Sequence, residues 1–308
     1  MPRKVIIVAD PGIDTAFAVA LALNDPNLEV VGLLPTAGNV NAEQATANVH
    51  TLIDVIDPPK WPRLAAALPV RYESDGLSLH GPGGLGGVTF PSATRHTLHL
   101  ADKVLCELAH EYPRQVTVVN LGPLTTLAAA LDRDPSLPAV LDQTVIIGGC
   151  WREAGNAGPA AEFHIALDPD AAKRVFHAEL HPLLIPLDVT RKLIFSPSDL
   201  LELPNPDSRT CQFLRKIVPF GIRASSNLYG IEGFHLKDVL GTAAVAIPAA
   251  VSSEPQILDV ETRGDLTRGM TVIDARPTPV GTPNARVATG VAVADVREYI
   301  LKTLKSAT

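Results

Sequence analysis

Cysteine, aromatic residues and charge are all scarce in this 308-residue chain, and each shortage excludes a class of protein. Only three cysteines occur, Cys106, Cys150 and Cys211, widely spaced and without a CxxC pair. A disulfide framework and a structural zinc site are therefore not indicated, and a reducing cytoplasm fits best. The longest apolar runs, 16–23 and 243–251, fall well short of the roughly 20 residues of a membrane-spanning helix. The opening residues carry Arg3 and Lys4, but their apolar run breaks at Asp10 and Pro11, so they read as a first strand and not a signal peptide. Basic residues number 26 against 33 acidic, a net charge of -7, which withholds the positive field that nucleic acids and anionic membranes require. Neither is an expected partner. Also missing are a repeat of solenoid period, a low-complexity tract, a phosphate-binding P-loop and any Ser-His-Asp or Cys-His arrangement legible by spacing.

What is present is apolar residue, 46% of the chain, enough for a large core. Short β-branched runs at 5–8, 29–34, 116–119, 145–147 and 183–185 read as strands, and helical spacing at 15–23, 42–56, 99–110, 124–131 and 170–176 falls between them. This alternation predicts a parallel sheet covered by helices on both faces. Residues 196–248 read mostly as helix and loop, 255–293 as further strands, and 296–304 as a last helix. No linker divides the chain, so the expectation is one α/β domain over 1–308 with a mainly parallel open sheet. Two glycine-bearing stretches, 73–91 and 220–235, read as long insertions of the kind that form binding lids.

In an open parallel sheet, ligands bind just beyond the carboxyl ends of the strands. Four polar segments interrupt apolar runs there: Asp10-Pro11-Gly12-Ile13-Asp14, Thr36-Ala37-Gly38-Asn39, Asn120 to Thr125, and Gly148-Gly149 leading to Asn156. Each also has a structural reading: Asp14 as a helix cap, Asp10 and Asn39 as turn residues, Thr125 as a helix start. Asp168-Pro169 reads as the cap and first position of the following helix, and Cys150 as a small buried hydrophobe.

With these pieces in order, the chain resembles the inosine-uridine preferring nucleoside hydrolases, whose amino-terminal signature is DxDPGxDD. Further matches are His80-Gly81 with Gly84-Leu85-Gly86, Gly122 to Thr125, Gly155-Asn156, Ala161-Glu162-Phe163 and Asp238, so the resemblance spans most of the chain. It implies hydrolysis of the N-glycosidic bond of a ribonucleoside in purine or pyrimidine salvage, a calcium ion at the bottom of the pocket, and a homodimer or homotetramer. It also implies that Asp10 is metal ligand and general base, that the Thr125 carbonyl and Asp238 are further ligands, and that Asp14, Asn39, Asn156 and Glu162 hold the ribose. Oxygen ligands of this kind suit a hard cation.

The signature is nevertheless altered, to VxDPGxDT. Val8 replaces its first aspartate and Thr15 its last, which in the family is a calcium ligand. Two carboxylates in place of three should weaken the hold on calcium. His164 stands where the family has an asparagine, with a sugar oxygen as its expected partner, and Gly83 replaces an aspartate in the HGxDG form. Lys237 stands where histidine or tryptophan helps the base depart, and is read as a proton donor to the leaving group or a substitute for missing positive charge. Tyr229, Phe234 and His235 either contact the nucleobase or pack the second lid; His80 and His235 are counted among the substrate-binding residues. The alternative to hydrolysis is a nucleoside- or ribose-binding protein with a lost or altered calcium site.

Overall fold

The computed structural model describes residues 2–70, 72, 76–91 and 99–307. Among the described residues twelve strands follow one another: β1 (Arg3–Ala9), β2 (Leu28–Pro35), β3 (Arg63–Leu64), β4 (Val116–Leu121), β5 (Gln143–Ile147), β6 (Leu183–Ile185), β7 (Ile194–Phe195), β8 (Phe234–His235), β9 (Val251–Gln256), β10 (Leu258–Val260), β11 (Thr271–Ile273) and β12 (Ala285–Val291). Eight of them form one sheet in the order β3-β2-β1-β4-β5-β6-β12-β9. Every pairing in it is parallel except that of the edge strand β9 with β12. The chain moves outward from β1 through β2 to β3, then returns to the other side of β1 for β4. The gap between β1 and β4 is thus the point where strand order reverses, the place where open α/β sheets bind ligands.

Helices cover both faces. The first half supplies α1 (Ile13–Asn24), α2 (Ala42–Ile56), α3 (Leu77–His80), α4 (Ala101–Glu111), α5 (Thr125–Arg133) and α6 (Leu137–Val140). The second supplies α7 (Phe163–Leu167), α8 (Pro169–Phe176), α9 (Leu187–Thr190), α10 (Pro197–Leu201), α11 (Arg209–Tyr229), α12 (Val239–Ala246) and α13 (Val293–Lys305). The alternation of β1 explains the layering. Val5, Ile7 and Ala9 enter a core with Phe17, Leu52, Phe213 and Leu240, whereas Ile6 and Val8 enter a second core with Leu105, Leu127 and Phe176. Both faces of the strand are buried, as expected of a central parallel strand. Val8, at the altered signature position, is therefore a core side chain.

The strand and helix expectations through residue 185 hold, with boundaries moved by a few residues. Helix α1 begins earlier than expected, capped by Gly12; Asp14 lies in its first turn and does not cap it. Asp168 does cap α8, accepting the Ala171 N–H.

The reading of 220–235 as a long loop is wrong. Helix α11 runs unbroken to Tyr229, and only a short turn after its Gly230 cap separates it from β8. The glycines of this stretch suggested a loop, but Phe213, Leu214, Ile217, Val218, Gly221, Ala224 and Ser225 form a buried stripe at helical spacing that runs past Pro219. A proline that forfeits one hydrogen bond is outweighed by this packing. Gly221 is needed because a Cβ there would sit 3.0 Å from the Phe234 ring. In the first candidate lid, residues 73–75 lie outside the described residues; the remainder folds as α3 and a 3-10 turn, Pro82–Gly84, against α11. Among the described residues no helix is long and apolar enough to cross a membrane.

Phe176 is 1% exposed and fills the second core from α8, away from the β1–β4 gap. Phe176→Ala should cost about 3–5 kcal/mol, read as a lower urea midpoint with an unchanged slope.

Candidate active site

Three loops at the carboxyl ends of β1, β2 and β4 close on one side chain. Asp10 follows β1 and is fully buried. The Asn39 main-chain N–H, from the loop after β2, points at both of its carboxylate oxygens at 2.7 Å, and Asn39 Nδ2 donates to the Asp10 carbonyl at 3.1 Å. Two glycines make this approach possible. A Cβ on Gly38 would lie 2.0 Å from Asp10 Oδ2, and one on Gly122, after β4, 2.5 Å from Asp10 Cβ. Burial drives the Asp10 pKa well above the usual carboxylate range; the Asn39 N–H opposes this, and the charges of Asp14 and Glu162 add to it.

Asp238, at the start of α12, is 1% exposed and joins the same cluster because α12 packs on α1. The Thr15 hydroxyl of α1 lies 2.7 Å from the Asp10 carbonyl and 2.5 Å from Asp238 Oδ2. Burial, followed by the charge of Asp14, raises the Asp238 pKa, against which the Thr15 hydroxyl acts. Asp238 Oδ1 is buried with no hydrogen-bond partner. Two buried carboxylates, one of them with an unpartnered oxygen, and a hydroxyl form an oxygen donor set that fits a hard cation. Among the described residues no group of three or more His, Cys, Asp and Glu side chains is placed to hold a metal. Any further ligands must therefore be hydroxyl, carbonyl or water oxygens. Thr125 opens α5 and gives its hydroxyl to Asp168 Oδ2 at 2.7 Å.

Above this floor is a cavity of about 390 Å³. Asp14, Asn39, His80, Asn156, His164 and Lys237 line it, with Phe163 and Tyr229. His80 is tied to α1: its Nδ1 accepts the Ile13 N–H at 3.0 Å, which satisfies one of the free donors of the helix start. That bond leaves the proton on Nε2. Burial holds the His80 pKa down to about 4, so the ring is neutral. Asn156 Oδ1 accepts the Phe163 N–H at 2.8 Å, turning its NH₂ to other partners. Glu162 caps α7, and its Oε2 takes the N–H groups of Gly149, His164 and Ile165. Only Oε1 remains, 3.6 Å from His164 Nδ1. The other nitrogen of His164 is 3.8 Å from Asp10 Oδ2, so the imidazole stands between the two carboxylates. Lys237 makes no ion pair within 4 Å among the described residues; its charge reaches His80, His235 and Asp238.

His235 is placed elsewhere. It pairs with Ile194 in the β7–β8 ribbon and is not among the cavity-lining residues, because α11 continues where a loop was expected. Of the lid aromatics, Tyr229 lines the cavity, whereas Phe234 is buried edge-on to His80 with ring centres 6.2 Å apart. Cys150 bonds the Ala160 carbonyl, and burial pushes its thiol up to about 11, so it is inert.

Sequence reading missed Asp188, whose two oxygens accept the Trp151 and Arg152 N–H groups and thereby anchor the loop that carries Asn156. The strand-end rule applied to β6 would have found it. Tyr72 was also missed; its hydroxyl bonds the Ala37 carbonyl and meets Thr125 Oγ1 at 3.2 Å. No local pattern in the sequence marks it.

Comparison with known proteins agrees with this geometry. Residues 5–298 match the family model of the inosine-uridine preferring nucleoside hydrolases. Uridine nucleosidase 1 of Arabidopsis thaliana is 34% identical over 276 residues, covering 88% of this chain and 82% of its own. The non-specific ribonucleoside hydrolase RihC of Escherichia coli is 32% identical over 306 residues and 99% of both chains. Among solved structures, the purine-preferring ribonucleoside hydrolase of Gardnerella vaginalis superposes with a TM-score of 0.92 over 99% of both chains, at 26% identity. With its strand-end loops gathered on one buried aspartate, the chain belongs to the inosine-uridine preferring nucleoside hydrolase family.

Proposed function

We propose that this cavity cleaves the N-glycosidic bond of ribonucleosides with oxo-bearing bases, uridine and inosine being the representatives. The observation that carries the reaction is Asp10, a desolvated carboxylate held still under a cavity of nucleoside size. The base preference rests on the wall. His80 Nε2–H and the Lys237 ammonium both donate, and bases whose edges carry carbonyl oxygens present the matching acceptors. A relative named for uridine supports this preference, and one named as a non-specific ribonucleoside hydrolase supports the reaction without a base preference.

Asp14, Asn39, Asn156, Glu162 Oε1 and His164 hold and orient the ribose, so that its anomeric carbon lies over Asp10. Asp10 takes a proton from the attacking water as oxygen bonds to that carbon. The carbon–nitrogen bond breaks through an oxocarbenium-like state, and Lys237 gives a proton to the departing base. Ribose and free base result. Calcium would be held by Asp10, Asp238, the Thr15 hydroxyl and the Thr125 carbonyl, and when bound it supplies positive charge that eases deprotonation of nearby water. Asp14, Asn39, Asn156 and His164 line one cavity, and Asp10 lies buried against Asn39 and 3.8 Å from His164, which supports hydrolysis over the binding-only alternative. Three free, buried cysteines accord with a reducing cytoplasm, and a homodimer or homotetramer is the assembly proposed from the family.

Asp10→Asn keeps the shape of the side chain but removes the base. Uridine turnover should fall about 10²- to 10⁴-fold, measured as uracil release, while ribose still binds; undiminished turnover would exclude Asp10 as the base. Lys237→Met should lower turnover of uridine and inosine far more than that of p-nitrophenyl riboside, whose leaving group needs no proton. Equal losses on both would remove Lys237 from the leaving-group step.

A pH prediction comes from His80. Its pKa in the fold is lowered to about 4, below the free value, so the ring stays neutral as pH falls through the usual histidine range. Imidazole ¹H–¹⁵N spectra should show the Nε2–H tautomer unchanged from about pH 8 to pH 5. A His80 resonance titrating near the ordinary histidine value would contradict this.

A further inference from the structure

The floor of the cavity joins a satisfied half to an unsatisfied half. On one side the Thr15 hydroxyl spans the Asp10 carbonyl and Asp238 Oδ2. On the other, Asp238 Oδ1 has no partner, on a side chain 1% exposed. A buried carboxylate oxygen without a partner is costly, and a hard cation with oxygen ligands would satisfy it. A third carboxylate at position 15 would hold such a cation more tightly, because affinity follows ligand charge. Without the cation, however, three buried carboxylates would repel one another, and the fold would come to depend on the metal. Thr15 avoids that repulsion, and its one hydroxyl proton lies within reach of both the Asp10 carbonyl and Asp238 Oδ2.

We propose that Thr15 makes the Asp10–Asp238 cradle a weak, reversibly filled divalent-cation site, whose metal-free form is a stable fold closed by the Thr15–Asp238 hydrogen bond. Activity then follows the concentration of free calcium. The inference rests on reading the site as that of a nucleoside hydrolase, but its test does not require turnover.

The full-length protein is stripped with a chelator, and calcium binding is measured by titration calorimetry, alongside thermal unfolding with and without calcium. The stripped wild type should unfold cooperatively, bind calcium weakly and gain little thermal stability from it. Thr15→Asp should bind calcium about tenfold or more tighter, melt several degrees lower when stripped, and regain this with calcium. Thr15→Val should melt lower than wild type when stripped, whereas Thr15→Ser, which keeps the hydroxyl, should not. A stripped wild type that is unfolded, or a Thr15→Asp affinity equal to wild type, overturns the proposal. If Thr15→Asp does not fold, a stripped Thr15→Val as stable as wild type overturns it as well. Uracil release by the calcium-saturated wild type is scored separately: its absence beside the expected calcium behaviour overturns the hydrolase reading and upholds the cation site.

Discussion

The contact between the Asn39 main-chain N–H and the carboxylate of Asp10 sets the form of the whole site. Burying a carboxylate in a dry interior is expensive, and the expense is tolerable only when fixed donors replace the water removed. One backbone amide, shared between both oxygens, does this in part, and burial still outweighs it. For the amide to reach, the loop after β2 must come so close that Gly38 can carry no side chain, and the loop after β4 must do the same at Gly122. The sheet order makes that closeness available, since β2 and β4 flank β1. Position of strands, identity of two glycines and chemistry of one aspartate are a single constraint.

From that constraint follows a division of charge across the cavity. Acids collect beneath the cavity: burial raises the proton affinity of Asp10 and Asp238, the charge of Asp14 adds to both, and that of Glu162 adds to Asp10. Donors collect on the wall, and two of them are fixed by backbone bonds that have nothing to do with substrate: Ile13 sets the tautomer of His80, and Phe163 sets the facing of Asn156. Such preorganisation matters because groups already in place need not be ordered when the transition state forms. The helix starts of α1 and α7 thus act twice, as structural ends needing partners and as jigs that aim side chains into the cavity.

The legible part of this arrangement was the part written locally. β1, α1, β2 and α2 are buried so regularly that their apolar periods survive in sequence, and strand ends then point to Asp10, Asn39 and Thr125 by rule. What was not legible depends on partners distant in the chain. Helix α11 was hidden because the glycines of this stretch mimic a loop, while the stripe that holds it in a helix is satisfied by Phe234 and α3. His235 was misplaced for the same reason. Asp188 itself follows a strand end and was open to the same rule, but its partners in the Asn156 loop lie 36 and 37 positions away, a pairing no spacing rule encodes.

The departures from the family pattern belong together once they are placed in space. Val8 turns away from the cavity into the second core, so its loss of charge does not touch the floor. Thr15 removes a negative charge from the floor, and Lys237 adds a positive one to the wall above the same cluster, with Asp238 within reach of both. Relative to the pattern with aspartate and a neutral histidine or tryptophan, the site is more positive by two units. On the proposed reading the two changes act on opposite ends of one reaction coordinate. A looser hold on the cation weakens activation of water, and a lysine that gives its proton to the leaving group strengthens departure of the base. An oxocarbenium-like transition state draws on help at the leaving group as well as on activation of water. A chain that shifts charge from the floor to the wall can therefore retain hydrolysis while giving up tight metal binding.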